Sequence, residues 1–257
     1  MGTDRREGWR RVLPVGAMAA VIGVWQLVAV GHRYVLPRPW AVVQQLVHYP
    51  GSYLAGGRVT LLEALSGLAI GFAAAVGFSL AMARIPPLAD AVLPLAILLN
   101  VTPVVAIAPG LVVAFGFGLA PKVIVTAVIC FFPTLVTTTA GLRSAEPAVI
   151  EVMRSLHATE NQILLRVRLP SSLPYLFAAA RVCLPLSVIG AVVAEFVTPG
   201  STNGLGTVIF LAAPNSQFDR VYAAVACLGF LGVILTAAVG LLERRVMSWH
   251  QSQQPSS

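Results

Sequence analysis

A chain of 257 residues that is 57% hydrophobic and only 11% charged falls outside the soluble globular class, whose charged share is about 25%. With a mean hydropathy of +0.84 it reads as an all-α, polytopic membrane helical bundle, each crossing of which takes ~20 apolar residues. The net charge of +7 does not point to nucleic acid, because the basic residues are scattered between apolar blocks rather than striped along one face.

The first predicted element is a transmembrane helix over 12–30, preceded by Arg5, Arg6, Arg10 and Arg11. A cleavable signal peptide shares that pattern, but the run is long for a signal core and no convincing small-residue cleavage site follows it. Residues 32–57 are mixed. Leu36-Pro37-Arg38-Pro39 imposes a turn, 40–49 predicts a short interfacial helix, and the whole interval reads as a loop outside the bilayer. The second span is 60–83, where Gly67, Gly71 and Gly77 permit close helix approach, and Arg84-Ile85-Pro86-Pro87 ends it.

A third span over 91–115 carries Pro94, Pro103 and Pro109, which predict a bent helix whose freed carbonyls need other partners. Asn100 and Thr102 lie at mid-depth. Such side chains serve as interhelical hydrogen-bond partners or line a translocation pathway. After the turn Gly116-Phe117-Gly118, Pro121 opens a fourth span that runs to 140.

The interval 142–170 is the long polar break in the apolar sequence, with Arg143, Glu146, Glu151, Arg154, Glu160, Arg166 and Arg168. Val149, Val152, Met153 and Leu156 recur at helical spacing opposite Glu151, Arg154 and Ser155, so 148–156 predicts an amphipathic helix with Pro147 in its first turn. Thr159 and Gln162 have capping-box spacing for a second helix, and His157 and Ala158 form the joint. On pattern alone the first helix either lies on the lipid surface or docks on a partner. A metal role for His157 has little support, because no second ligand lies nearby in sequence.

The fifth span, 171–196, holds Arg181, Ser187 and Glu195. Arg181 is placed to snorkel. Glu195, an ionisable residue too costly to face lipid, is expected to line a pathway or to brace the turn-rich outer loop that follows, Thr198-Pro199-Gly200 and Asn203-Gly204-Leu205-Gly206. A sixth span covers 221–242 and stops at Glu243-Arg244-Arg245, leaving a polar tail. The three cysteines, Cys130, Cys183 and Cys227, sit in apolar blocks and read as small core residues.

With both termini inside, the inner segments hold Arg5, Arg6, Arg10, Arg11, Arg84, Arg143, Arg154, Arg166, Arg168, Arg244 and Arg245. Outside lie Arg33, Arg38, Arg58, Lys122 and Arg220. The excess obeys the positive-inside rule and puts 142–170 in the cytoplasm.

Residues 151–170 resemble the cytoplasmic signature loop of permease subunits of binding-protein-dependent ABC importers. In that family it reads EAA, three residues, Gly, about nine residues, then I-x-L-P. Glu151, Ala158, Leu169 and Pro170 match, Val167 replaces Ile, and Val152, Met153 and His157 depart. Ala194-Glu195 followed by Gly204-Leu205-Gly206 is similar to the branch that imports nitrate, sulfonates, taurine and pyrimidine precursors. The resemblance implies a single permease domain over 1–257: a transport core at about 60–242, an extra N-terminal span at 12–30 and a tail at 244–257. It also implies an ATPase-docking loop built on Val149, Glu151, Val152, Met153, Leu156, His157, Ala158, Leu169 and Pro170. Asn100, Thr102, Ser187 and Glu195 are candidates for the pathway. The implied partners are a second permease copy, a cytoplasmic ATPase and an external solute-binding protein, in the cytoplasmic membrane.

No Walker-type phosphate loop occurs, so no cofactor is expected on this chain and ATP would be bound by the partner subunit. The four histidines, His32, His48, His157 and His250, are dispersed without metal-ligand spacing. The rival readings are a stand-alone carrier, which calls for internal repeats, and a membrane enzyme, which calls for clustered acid, base or metal ligands. The sequence shows neither.

Overall fold

The computed structural model describes residues 4–31, 34–101, 104–198 and 203–246, and no strand occurs among them. Helix α1 (Asp4–Gly31) meets the rest of the chain through Trp25, whose indole Nε1 donates to the Pro37 carbonyl at 3.0 Å while its ring leans on Tyr222, centroids 6.1 Å apart. Helix α2 (Pro39–His48) starts on Pro39, where a missing N–H costs nothing because the first helical donors have no intrahelical acceptor.

Helix α3 (Pro50–Arg84) begins at Pro50, well before the expected span at 60. The sequence reads the whole interval 32–57 as a loop, whereas 50–57 are helical. A Cβ at Gly56 would lie 3.3 Å from the Asn203 carbonyl oxygen, so this glycine lets a later segment press on the helix rather than breaking it.

The bundle is organised around α3, α6 (Leu119–Arg143) and α9 (Leu169–Val197), which pack on one another. A Cβ at Gly67 would overlap Thr126, and one at Gly71 would overlap the backbone of Ala127, so α3 and α6 touch almost backbone to backbone along a Gly-x-x-x-Gly face. Gly77, expected to serve the same purpose, has no neighbour within 4 Å of its Cβ position. Gly141 gives Tyr175 of α9 its place against α6. Three buried hydroxyls along α6 bond back to their own helix: Thr126 to the Lys122 carbonyl, Thr134 to that of Cys130, Thr139 to that of Leu135. These three are thereby satisfied without water, as an apolar surrounding demands, whereas the buried Thr138 hydroxyl has no hydrogen-bond partner among the described residues. Cys130 and Cys183 face each other across α6 and α9, each thiol 3.5–3.6 Å from the other residue's carbonyl oxygen.

The proline-rich third span is broken, though not at every proline. Helix α4 (Pro86–Val101) runs through Pro94; a 3-10 turn (Val104–Ile107) and helix α5 (Ala108–Phe115) follow, with an 86° bend between the halves. Pro109 falls in the first turn of α5, where it is harmless. Thr102 and the tail at 251–257 lie outside the described residues.

Two short helices follow α6. They are α7 (Pro147–Ser155) and α8 (Glu160–Ile163), and a π-helical segment (Leu164–Arg168) then leads into α9. Helix α10 (Leu205–Ala212) stands where only an outer loop was read, and α11 (Phe218–Val246) closes the chain. Among the described residues, four helical stretches are long and apolar enough to cross a membrane: α3, α6, the α8–α9 run and α11. The α4–α5 pair makes five if it forms one bent span. The described apolar part of α1 is the shorter stretch Gly16–Gly31.

Candidate functional site

Two arrangements occupy opposite ends of α9, roughly 40 Å apart at 1.5 Å per residue. At the N-terminal end lies the loop of α7 and α8. Helix α7 ends in a complete Schellman motif: the N–H of Ala158 donates to the Met153 carbonyl at 3.0 Å, and that of His157 to the Arg154 carbonyl at 2.9 Å. His157 supplies the left-handed residue, with φ of 58°. The Thr159–Gln162 capping box then forms reciprocally, Gln162 N–H to Thr159 Oγ1 and Thr159 N–H to Gln162 Oε1. Arg154 clamps the two helices from outside through Glu160 at 2.9 Å.

The apolar stripe of α7 divides in two. Met153 is half-buried toward the bundle together with Ile150, which the sequence reading left out. Val149, Val152 and Leu156 point away, the last two 59% and 72% exposed, with Glu151 exposed beside them. A rigid, doubly capped turn therefore displays an apolar face that none of the described residues covers. Leu169 and Pro170 sit behind it as the first turn of α9.

At the far end of α9, Glu195 is fully buried and surrounded by donors. Thr60 Oγ1 donates to its Oε1 at 2.6 Å, and the Thr207 N–H donates to its Oε2 at 2.8 Å. Thr60 in turn accepts from the N–H of Leu205 at 2.9 Å. Two orphan donors in the first turn of α10 are thus capped by side chains from α9 and α3, and the carboxylate lies at the positive end of α10. Gly204 and Gly206 make this possible: a Cβ at Gly204 would overlap the Glu195 carboxylate, and one at Gly206 would come within 2.9 Å of the Val192 carbonyl. Of the two roles expected for Glu195, this is the geometry of a brace.

One turn along α3 from Thr60, Glu63 accepts from Lys122 Nζ at 3.1 Å, both side chains with no solvent exposure. Sequence reasoning missed this pair. Lys122 was counted among the outer charges and Glu63 not at all, although an acid inside a span signals a buried partner. Ser187 is also buried and bonds back to the Leu184 carbonyl at 2.8 Å, while Asn100 is exposed on α4, so the polar residues read from the spans are not gathered into one cavity. Arg181 finds Glu243 at the end of α11 rather than only snorkelling.

Residues 67–248 match the family model described as binding-protein-dependent transport system inner membrane component. The chain is 33% identical to the formylaminopyrimidine transport permease protein ThiX of Halalkalibacterium halodurans, over 96% of this chain and 100% of that protein. It is 31% identical to the putative aliphatic sulfonates transport permease protein SsuC of Bacillus subtilis, over 97% and 91%. In fold it is similar to an inward-facing structure of the MetNI methionine ABC transporter, with a TM-score of 0.60 and 21% identity over 82% of this chain and 98% of that one.

Proposed function

The chain belongs to the family of binding-protein-dependent transport system inner membrane components, and from that premise we infer that it passes a small polar solute through the membrane under the drive of an ATPase docked on residues 142–170. It is a multi-pass ABC importer permease subunit. The docking reading is carried by one observation, the exposed face of Val149, Val152 and Leu156 on a helix whose end is fixed by the His157 turn and the Thr159 capping box. Burial of a residue such as Leu156 in a groove of the ATPase contributes on the order of 1.5–3 kcal/mol.

In this reading ATP is bound by the partner, and two copies of this chain form a homodimer with the pathway between them. An external solute-binding protein delivers cargo at the α10 end. The relatives' names differ in cargo, formylaminopyrimidine for one and aliphatic sulfonates for the other. The proposed solute class is therefore the wider one: sulfonate, taurine, nitrate or pyrimidine-precursor type. Six spans, with α1 as the first and α4–α5 as the third, place both termini and the α7 loop in the cytoplasm, in keeping with the distribution of arginines.

The test is accessibility of single cysteines at 146, 152 and 160 in a background without Cys130, Cys183 and Cys227. In intact cells they should resist an impermeant external thiol reagent, and position 152 should become protected in inverted vesicles when the ATPase is added. Labelling from outside, or a position 152 indifferent to the ATPase, overturns the reading.

A further inference from the structure

Beside the α7 loop the ends of α3 and α6, the start of α4 and the π-helical segment before α9 enclose a cavity of about 240 Å³. Its lining sets apolar side chains, among them Met82, Leu142 and Ile150, beside Thr139 and the cations Arg143 and Arg168. Arg168 Nη1 donates to the Ala83 carbonyl at 3.3 Å. Arg143 Nη2 reaches Asp90 Oδ1 only at 3.4 Å, between two largely exposed side chains. Arg84, at the end of α3, bonds Asn161 at 3.1 Å. Of the three arginines, Arg143 alone meets a carboxylate, while Arg84 and Arg168 bond neutral oxygens. A guanidinium carries five donors, and among the described residues Arg143 and Arg168 each spend one on these contacts.

The level of this cavity matters as much as its charge. Membrane-capable helices end here, so it lies where the hydrocarbon region gives way to headgroups. We propose that the cavity binds a phosphate group, carried by an anionic phospholipid or free in solution, with the two arginines holding the phosphate oxygens. Arginine forks match phosphate bidentately, and basic pockets between membrane helices take anionic headgroups. When the phosphate is a lipid's, Met82 and Ile150 give its glycerol and upper acyl chains an apolar wall. The inference does not rest on the docking of an ATPase.

The test uses the full chain, purified in mild detergent, and native mass spectrometry with equal amounts of phosphatidylglycerol and phosphatidylcholine, with inorganic phosphate titrated separately. Each arginine should be worth about fivefold in affinity, so Arg143→Gln with Arg168→Gln should lower retention of the anionic lipid by more than tenfold. Arg220→Gln, at the opposite end, should change nothing. Asp90→Asn removes the competing carboxylate from an exposed position and should raise retention severalfold, which keeps the proposal testable if the double variant folds poorly. Preference for phosphatidylglycerol that vanishes in the double variant supports the site with a lipid as its source. Phosphate binding with the same dependence on Arg143 and Arg168, without preference between lipids, supports it with a solution anion. Equal retention of both lipids together with no phosphate binding, or binding indifferent to Arg143, Arg168 and Asp90, overturns it.

Discussion

The two ends of α9 are built on opposite plans. Around Glu195 every feature is closed: a buried carboxylate, hydroxyl and backbone donors from α3 and α10, and glycines that leave room for the contact. Around Leu156 the backbone is just as well fixed, by a Schellman turn and a capping box, yet the side chains it fixes are apolar and uncovered. A polar group left unpaired in an apolar interior costs stability, so the first end is completed within the chain. An apolar group left in water only forfeits burial, so the second end can wait for a partner. Changes at the first end should therefore damage the subunit, and changes at the second should damage the assembly.

The largest effect is expected beside the first end. Lys122→Met leaves the buried Glu63 carboxylate without its cation and should cost about 3–5 kcal/mol, seen as a lower midpoint of thermal unfolding in detergent. Adding Glu63→Leu should recover most of the loss. A double variant no better than the single would mean that the pair is not an isolated ionic contact. Next comes Glu195→Gln, which places an amide where Thr60 or Thr207 now donates; about 1–3 kcal/mol should be lost. Because the loop at the other end is untouched, the folded fraction of that variant should bind the ATPase as wild type does.

Smaller effects belong to the loop. His157→Gly relieves a left-handed residue and should leave ATPase recruitment at or slightly above wild type, with a gain of about 0.5–1 kcal/mol in the turn. His157→Val should weaken recruitment, since a β-branched residue resists positive φ. Arg154→Ala breaks an exposed pair with Glu160 and should cost under about 1 kcal/mol in the same recruitment assay. A large loss from Arg154→Ala would mean that the polar face of α7, rather than Leu156, carries the contact.

Local chemistry was legible in the sequence where it is local in space. The capping box of Thr159 and Gln162 spans three residues and the turn at His157 only one, and both stand where spacing put them. Partnerships across the bundle were not legible. Lys122 and Glu63 are 59 positions apart, and no periodicity connects them. The glycines of α3 do not show in sequence which of them serve a close approach, because only the neighbour decides. Gly56 faces residues 203–205 and lies inside a helix, whereas Gly77 faces nothing. Helix α10 was hidden by the turn signals of Asn203-Gly204-Leu205-Gly206, whose glycines serve the carboxylate of Glu195 rather than a turn. Ile150 escaped the α7 stripe because it lines a cavity whose other walls come from α3, α4, α6 and the π-helical segment before α9.

The contrast between a closed end and an open end is tested most directly by co-purification of the ATPase with detergent-solubilised permease, wild type against Leu156→Asp. Leu156 is 72% exposed in the subunit alone, so the aspartate should leave the unfolding free energy within about 0.5 kcal/mol of wild type and the midpoint nearly unmoved. In the complex the same aspartate would be buried against an apolar groove, and the ATPase should be lost from the eluate. Undiminished ATPase on the Leu156→Asp permease, or an unfolding midpoint that falls as far as that of Glu195→Gln, would contradict the account.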